Sequence, residues 1–238
     1  MTIKPAFEPN KVPVQSTDDH LPRVSAEQMS VAALMRRFAD PPHWVPELSV
    51  EARFSDRAPT PAAVLVPLVM RDQITVLLTT RTAHLSSHSG QVAFPGGKAD
   101  IGDENATATA LREAQEEIGL EPAFVRVIGS FPVYATGSGF LVTPVFGLLQ
   151  PGFSIAPNPN EVADVFEVPL EFLMNPANHR HHIYDWSGQT RHWISMSYQE
   201  GEQERFIWGA TAGMLRNFYR FLLASDSAGT GGVAMINP

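Results

Sequence analysis

The stretch FPGGKADIGDENATATALREAQEEIGL, Phe94 to Leu120, decides how the chain is read. It divides into a glycine turn at Gly96-Gly97, an acidic loop, and a run of good helix formers from Ala106 to Ile118. Gly119 is placed to stop that helix. Leu111, Ala114 and Ile118 recur at helical spacing and define an apolar face. Glu113 and Glu117, four residues apart, stand one above the other on a second face, with Glu116 beside them. Three carboxylates so close repel one another. A hard divalent cation removes that cost, because Mg²⁺ takes oxygen ligands and is shared between a few carboxylates and substrate phosphates. An acidic run on a helix is most often a solvated face. What sets this one apart is its place in an ordered set: a Gly-Gly pair, a loop acid, Arg-Glu-x-x-Glu-Glu at Arg112 to Glu117, then Gly119-Leu120.

Upstream, Leu77-Leu78-Thr79-Thr80-Arg81-Thr82 leads through His84, Ser86 and His88 to Gly90 and then to Phe94-Pro95-Gly96-Gly97. The Gly-to-Leu120 stretch resembles the signature of the Nudix hydrolases. Arg112, Glu113, Ala114, Glu116, Glu117, Gly119 and Leu120 fill its second half without a gap. The first half departs by one residue: counted forward from Gly97 the loop acid is Asp103, counted back from Arg112 it is Glu104. One extra loop residue costs little. The upstream run resembles the coenzyme A pyrophosphatase branch of that family, with its spacing kept. Thr82 stands where Ser or Ala is usual, and Ser86 stands where Arg is usual, which removes a candidate phosphate contact.

The resemblance covers about residues 62–223. It implies a Nudix-fold α/β/α sandwich with a central mixed β-sheet. It also implies cleavage of the diphosphate linkage of coenzyme A or its thioesters, to 4′-phosphopantetheine (or its acyl form) and adenosine 3′,5′-bisphosphate. Mg²⁺ or Mn²⁺ is the implied cofactor, held by Glu113, Glu116 and Glu117, with a backbone carbonyl from Gly97 as a further ligand. Arg112 is implied to hold a glutamate in place. Glu116 or Glu161 is the candidate base, Glu161 because such enzymes often carry a further carboxylate after the box. Arg81, Gly96 and Lys98 are the candidate substrate contacts. Two rival readings are a Nudix enzyme for ADP-ribose, NADH or a nucleoside triphosphate, and a Nudix-fold sensor that binds nucleotide without cleaving it. The intact acids argue against the sensor.

Composition bounds the rest. With 238 residues, 44% of them hydrophobic, the chain can bury a full core as one domain with extensions. The net charge of −8 argues against a nucleic-acid partner but not against a small phosphorylated molecule. The absence of cysteine excludes a disulfide framework, a thiolate metal site and a Cys nucleophile. The N-terminus lacks the apolar core of a signal peptide. The most apolar run, Ala62 to Met70, is too short to span a bilayer. No membrane partner and a cytoplasmic location are therefore expected.

Residues 1–60 read as an N-terminal extension, partly disordered, with prolines over the first 24 residues. One helix is expected there, from a Ser25 cap through Phe38. Packing of this segment on the core, or its exchange in a homodimer, is left open. Residues 61–224 read as the catalytic domain and residues 225–238 as a flexible tail. Strands are expected at Ala62–Met70 and Gln73–Thr80 as a hairpin, and at Val125–Phe131 and Leu141–Leu149, with Pro144 marking an edge or interruption. A loop at Tyr134–Gly139 is placed to cover a ligand. Asn178-His179-Arg180-His181-His182 reads either as a terminal-phosphate contact or as a surface loop. A hairpin about Ser187-Gly188, a strand near Glu204–Trp208 and a helix capped by Thr211 complete the chain.

Overall fold

The computed structural model describes residues 8–53, 58–82, 90–186 and 189–225. Among these the strands are β1 (Ser16–Thr17), β2 (Thr60–Met70), β3 (Ile74–Arg81), β4 (Val92–Ala93), β5 (Gly96–Lys98) and β6 (Val125–Ser130). They continue as β7 (Tyr134–Ala135), β8 (Phe140–Leu149), β9 (Val162–Pro169), β10 (Arg180–Trp186), β11 (Gln189–Glu200) and β12 (Gln203–Trp208). The α-helices are α1 (Val31–Ala39), α2 (Ala106–Ile118), the short α3 (Leu170–Leu173) and α4 (Gly209–Leu223).

Among the described residues, eight strands form a mixed sheet on the path β4-β3-β2-β8-β6, with β5 against β2, β7 against β8 and β9 against β3. β2 and β3 form the expected antiparallel hairpin, and β2 runs parallel to β8. The long β2 alternates its side chains between two cores, as strand geometry requires. Ala63 and Leu65 face α2, where Ala110, Ala114 and Ile118 meet them. Ala62 and Val66 face the opposite core, shared with Leu34 of α1 and Phe218 and Phe221 of α4. Helices thus cover both faces of a mixed sheet, the α/β arrangement expected.

Pro144 does not lie at an edge. It sits within β8, between β2 and the point where pairing on the other side passes from β7 (at Val142) to β6 (at Val145). Its carbonyl accepts from Phe131 N at 2.9 Å, and the missing N–H falls at this change of partner.

A second, antiparallel sheet of four strands runs β1-β10-β11-β12 among the described residues and packs on α4. The β10–β11 register, Trp186↔Gln189, matches the two-residue turn read from the sequence. The proline-rich front segment differs from the loose arm expected. Ser16 and Thr17 add to the edge of β10, and Val12 and Val24 are buried. Polarity in that segment did not reveal the strand edge it lies on.

The first helix starts later than expected. Ser30 caps it, its Oγ accepting from Ala33 N at 3.2 Å. Ser25 instead closes a turn with Gln28, each side chain accepting the other's backbone N–H. At the far end, α4 begins at Gly209, and Thr211 is not its cap: its hydroxyl donates to Val92 O at 3.1 Å.

Candidate active site

α2 forms where the sequence places it. Asn105 caps it by accepting from Ala108 N at 3.0 Å, and Gly119 ends it in the left-handed region at φ 68°. The last carbonyls of the helix are taken by the following loop: Asn158 N donates to Glu117 O and Ala156 N to Ile118 O, both at 2.8 Å. These bonds bring the loop that carries Glu161 against the acidic end of α2.

Glu161 is fixed from the other side by β3. Thr82 N donates to Glu161 O at 3.0 Å, and Thr82 Oγ1 donates to Asn160 O at 3.1 Å. The hydroxyl at position 82 therefore has a definite task, clamping this loop to the end of β3. Asn158 Nδ2 donates to the Glu161 carboxylate at 3.1 Å.

The glycine turn meets the helix at two carboxylates. Gly96 N donates to Glu117 Oε2 at 3.0 Å. Gly97 lies against the Glu113 carboxylate so closely that a Cβ there would overlap it. Arg81 Nη1 reaches Glu117 Oε1 at 3.2 Å. Burial pushes Glu117 up to about 7, against the pull of the Gly96 N–H and Arg81 and with Glu113 and Glu161 adding to the rise. Burial also raises Glu113, partly offset by Arg112 and reinforced by Glu116 and Glu161. Four acids thus feel one another's charge at one place.

Arg112 is the hub of this cluster. Its Nε and Nη2 donate to the two oxygens of Asp103, each at 3.0 Å. Nη2 also donates to Lys98 O at 2.9 Å and Glu113 Oε1 at 3.0 Å, and Nη1 donates to Glu116 Oε2 at 3.0 Å. The loop acid left open by counting is Asp103; Glu104 is exposed. The Arg112 bonds, with Asp100 N donating as well, hold the Asp103 carboxyl well below the usual carboxylate range.

Repulsion among the acids is therefore not left for a cation alone to relieve, as the sequence reading had it. Two arginines and a backbone N–H already offset it. Among the described residues no group of three His, Asp or Glu side chains stands ready as a cation cage. The donor set still suits a hard divalent cation in kind: carboxylate oxygens in a half-buried acidic pocket, beside a glycine turn with no room for a side chain.

A cavity of about 670 Å³ unites these groups. Arg81, Gly96, Gly97, Lys98, Arg112, Glu113, Glu116, Glu117 and Glu161 all line it, so every predicted site residue lies on one surface. His84, Ser86 and His88 lie outside the described residues. Thr136 and Ser138, from the loop expected to cover a ligand, line it as well. Sequence reasoning missed Glu51, Phe140, Trp208 and Met214. Met214 is buried on the face of α4 turned to the core, and no local signal marks Glu51.

The basic cluster takes no part. His179 is fully buried, with Nε2 bonded to Leu173 O at 2.7 Å and Nδ1 to Arg216 Nη1 at 3.0 Å. His182 is buried between Ser195 Oγ, at 2.8 Å, and the carbonyls of Val12 and Pro13, while His181 pairs with Asp18 at 2.7 Å. His181 and His182 fasten the front segment to the second sheet, while His179 ties α3 to α4. The cluster is not a surface loop: Arg180, His181 and His182 open β10, and none of its residues lines the cavity.

The sequence pattern of the NUDIX domain matches residues 59–193, more than half the chain. The chain is a member of the Nudix hydrolase family. It is 44% identical over 151 residues to a protein of Photorhabdus laumondii described as an uncharacterized Nudix hydrolase, NudL, covering 63% of this chain and 79% of that one. It is 43% identical over 156 residues to the NudL of Escherichia coli, covering 65% and 79%. Among solved structures it resembles a Caenorhabditis elegans Ap4A hydrolase, at TM-score 0.40 and 22% identity over 50% of this chain and 85% of that one. It also resembles the Nudix domain of Shewanella oneidensis NrtR, crystallised with ADP ribose, at TM-score 0.39 and 24% identity over 48% and 75%. Membership makes the protein a pyrophosphatase-type hydrolase of a family that uses divalent cations. Among the described residues no helix is long and apolar enough to cross a membrane.

Proposed function

We propose that the protein hydrolyses the diphosphate linkage of coenzyme A or its thioesters, releasing 4′-phosphopantetheine or its acyl form and adenosine 3′,5′-bisphosphate. The observation that carries this reading is the Arg81–Glu117 pair at 3.2 Å. It joins the run that resembles the coenzyme A branch to the acids of the family signature, in one cavity. Glu113, Glu116 and Glu117 would hold Mg²⁺ or Mn²⁺. Such a cation, when bound, neutralises charge on the diphosphate oxygens.

The protein's own residues do the rest. Arg112 positions Glu113 and Glu116 while Asp103 holds its fork in register. Arg81 and Lys98 line the same wall and supply positive charge to the phosphates. Glu161 is better placed than Glu116 to take the proton from the attacking water. Its carboxylate has an amide from Asn158 as partner, whereas Glu116 is held by the Arg112 cation.

The test incubates the protein with Mg²⁺ and coenzyme A, acyl-coenzyme A, ADP-ribose, NADH and nucleoside triphosphates, and identifies products by mass. Coenzyme A derivatives should give the highest kcat/KM. A clear preference for any of the others would overturn the substrate assignment. Ser86, standing where relatives of that branch carry Arg, predicts weak selection for the 3′-phosphate. A Ser86→Arg variant should sharpen discrimination between coenzyme A and its dephospho form.

A further inference from the structure

The cavity does not stop at the acids. In β2, Ala63 and Leu65 face α2, whereas Ala62 and Val64 face the other core. The acids come from α2 and its flanking loops. Ala62, Val64, Phe140, Val142 and Met214 belong to the opposite core, yet they line the same cavity. The cavity therefore passes around the sheet beside β5, and its chemistry changes on the way. Charged side chains lie at the α2 end: Arg81, Lys98 and Arg112 beside Glu113, Glu116, Glu117 and Glu161. The α4 end is walled by Val142, Phe140, Trp208, Ala210 and Met214, with Glu51, Thr136, Ser138 and Thr211 as its polar members.

The end wall is built and held. Glu51 accepts from Tyr134 Oη at 3.1 Å and from Gly137 N at 2.8 Å, which fastens the loop bearing Thr136 and Ser138. Glu51 itself is set by a strand-like bridge: its N–H donates to Ala135 O, and Ala135 N donates to Ser49 O, both at 2.8 Å. Further back, Leu48 N donates to Asn217 Oδ1 at 3.0 Å and Glu47 pairs with Arg216 and Arg220, each at 3.1 Å. The front segment thus straps α4 to the loop whose Thr136 and Ser138 line the cavity.

We propose that the half of the cavity facing α4 is an apolar subsite for the uncharged arm of the diphosphate substrate, with Met214 and Val142 as its specificity-determining residues. The inference rests on the diphosphate-hydrolase reading above. A nucleotide arm with its own phosphate would bring negative charge against the Glu51 carboxylate and a wall of Val, Phe and Met, which is costly. That arm lies toward Arg81 and Lys98. The α4 end takes the pantetheine and acyl portion if the substrate is a coenzyme A thioester. Met214, unbranched and adaptable, suits a chain of variable length.

The test uses the full chain with Mg²⁺ and two substrate series. One is acetyl-, butyryl- and hexanoyl-coenzyme A; the other is ADP carrying a methyl, butyl or hexyl ester on its β-phosphate. In either series that is cleaved, kcat/KM should rise with chain length, through KM, by up to about fourfold per buried methylene until the space is filled. Met214→Gln and Val142→Thr should each flatten that slope. A change in folding alone would lower all members of a series together, so one folded variant suffices.

A flat or falling dependence on length in the wild-type protein overturns the subsite. So do slopes unchanged in whichever variants fold. Cleavage of the ADP esters with a rising slope, while coenzyme A derivatives stay inert, upholds the subsite and removes only the coenzyme A assignment. Cleavage of ADP-ribose with neither series turned over overturns the subsite and leaves diphosphate hydrolysis standing.

Discussion

Arg112 touches Asp103, Glu113, Glu116 and the Lys98 carbonyl, so a change at any of these acids is felt by the rest. Asp103→Asn should lower kcat by roughly 10- to 100-fold, the usual cost of losing a partner that orients a metal ligand. Glu104→Gln, one residue along and exposed, should leave steady-state rates within about twofold. Equal losses in the two variants would show that the loop acid had been misassigned. Glu117→Gln should lower turnover by at least roughly a hundredfold with the fold intact, as loss of a metal ligand does. Circular dichroism and initial rates on one preparation check both halves of that statement. The sequence carried this residue-scale pattern well, because Arg112 and its acids lie within one helix and the loop before it. It could not choose between Asp103 and Glu104, since a loop insertion shifts the count without shifting the contact. Glu51 was invisible for a different reason: its partners, Tyr134 and Gly137, are more than eighty residues away and ordinary in their own setting.

At the scale of elements, α2 is set by signals at both ends. Asn105 caps its start, and Gly119 lets the chain turn at φ 68° into the loop that takes up its last carbonyls. A Cβ at Gly119 would also press on Ala156. Gly119→Ala should therefore destabilise the protein by about 1–2 kcal/mol from the left-handed backbone alone. Gly102→Ala, with open space around it, should be close to neutral. Urea unfolding of the two variants decides this, and a smaller shift at Gly119 would contradict the capping account. Strands and helices with strong periodic patterns were legible: β2, β3, β8 and α2 appear near the expected bounds. The misplaced starts of α1 and α4 share a cause. Ser25 and Thr211 are cap-type residues whose side chains bond elsewhere, Ser25 within a turn and Thr211 across to β4. Composition cannot tell a cap from a tether.

At the scale of the whole molecule, residues 8–53 of the front segment are part of the body. It supplies the edge strand β1, the strap to α4, and Phe38 and Trp44 to a ring cluster with Phe131, Phe146, Phe218 and Phe221. His181 and His182 hold it, and His179 beside them is buried between Leu173 and Arg216. Burial lowers His179 to about 4, and Arg216 donating to its Nδ1 further disfavours the proton. The unfolded chain binds that proton below its ordinary value of 6.5, and the folded chain does so only below about 4. Stability from this site is therefore complete above pH 6.5 and is lost as pH falls toward 4, by up to about 3 kcal/mol. His179→Gln should lower Tm at pH 7.5 but show a shallower fall between pH 6.5 and 4; a parallel fall would remove His179 as its source. The central claim, that the α2 acids gather a divalent cation for diphosphate hydrolysis, is tested most directly by calorimetric titration of Mn²⁺ into the wild-type protein and into Glu113→Gln and Glu117→Gln. Saturable uptake in the wild type, weakened at least about tenfold in each variant, is the predicted result. No uptake, or uptake that both variants keep unchanged, would contradict it.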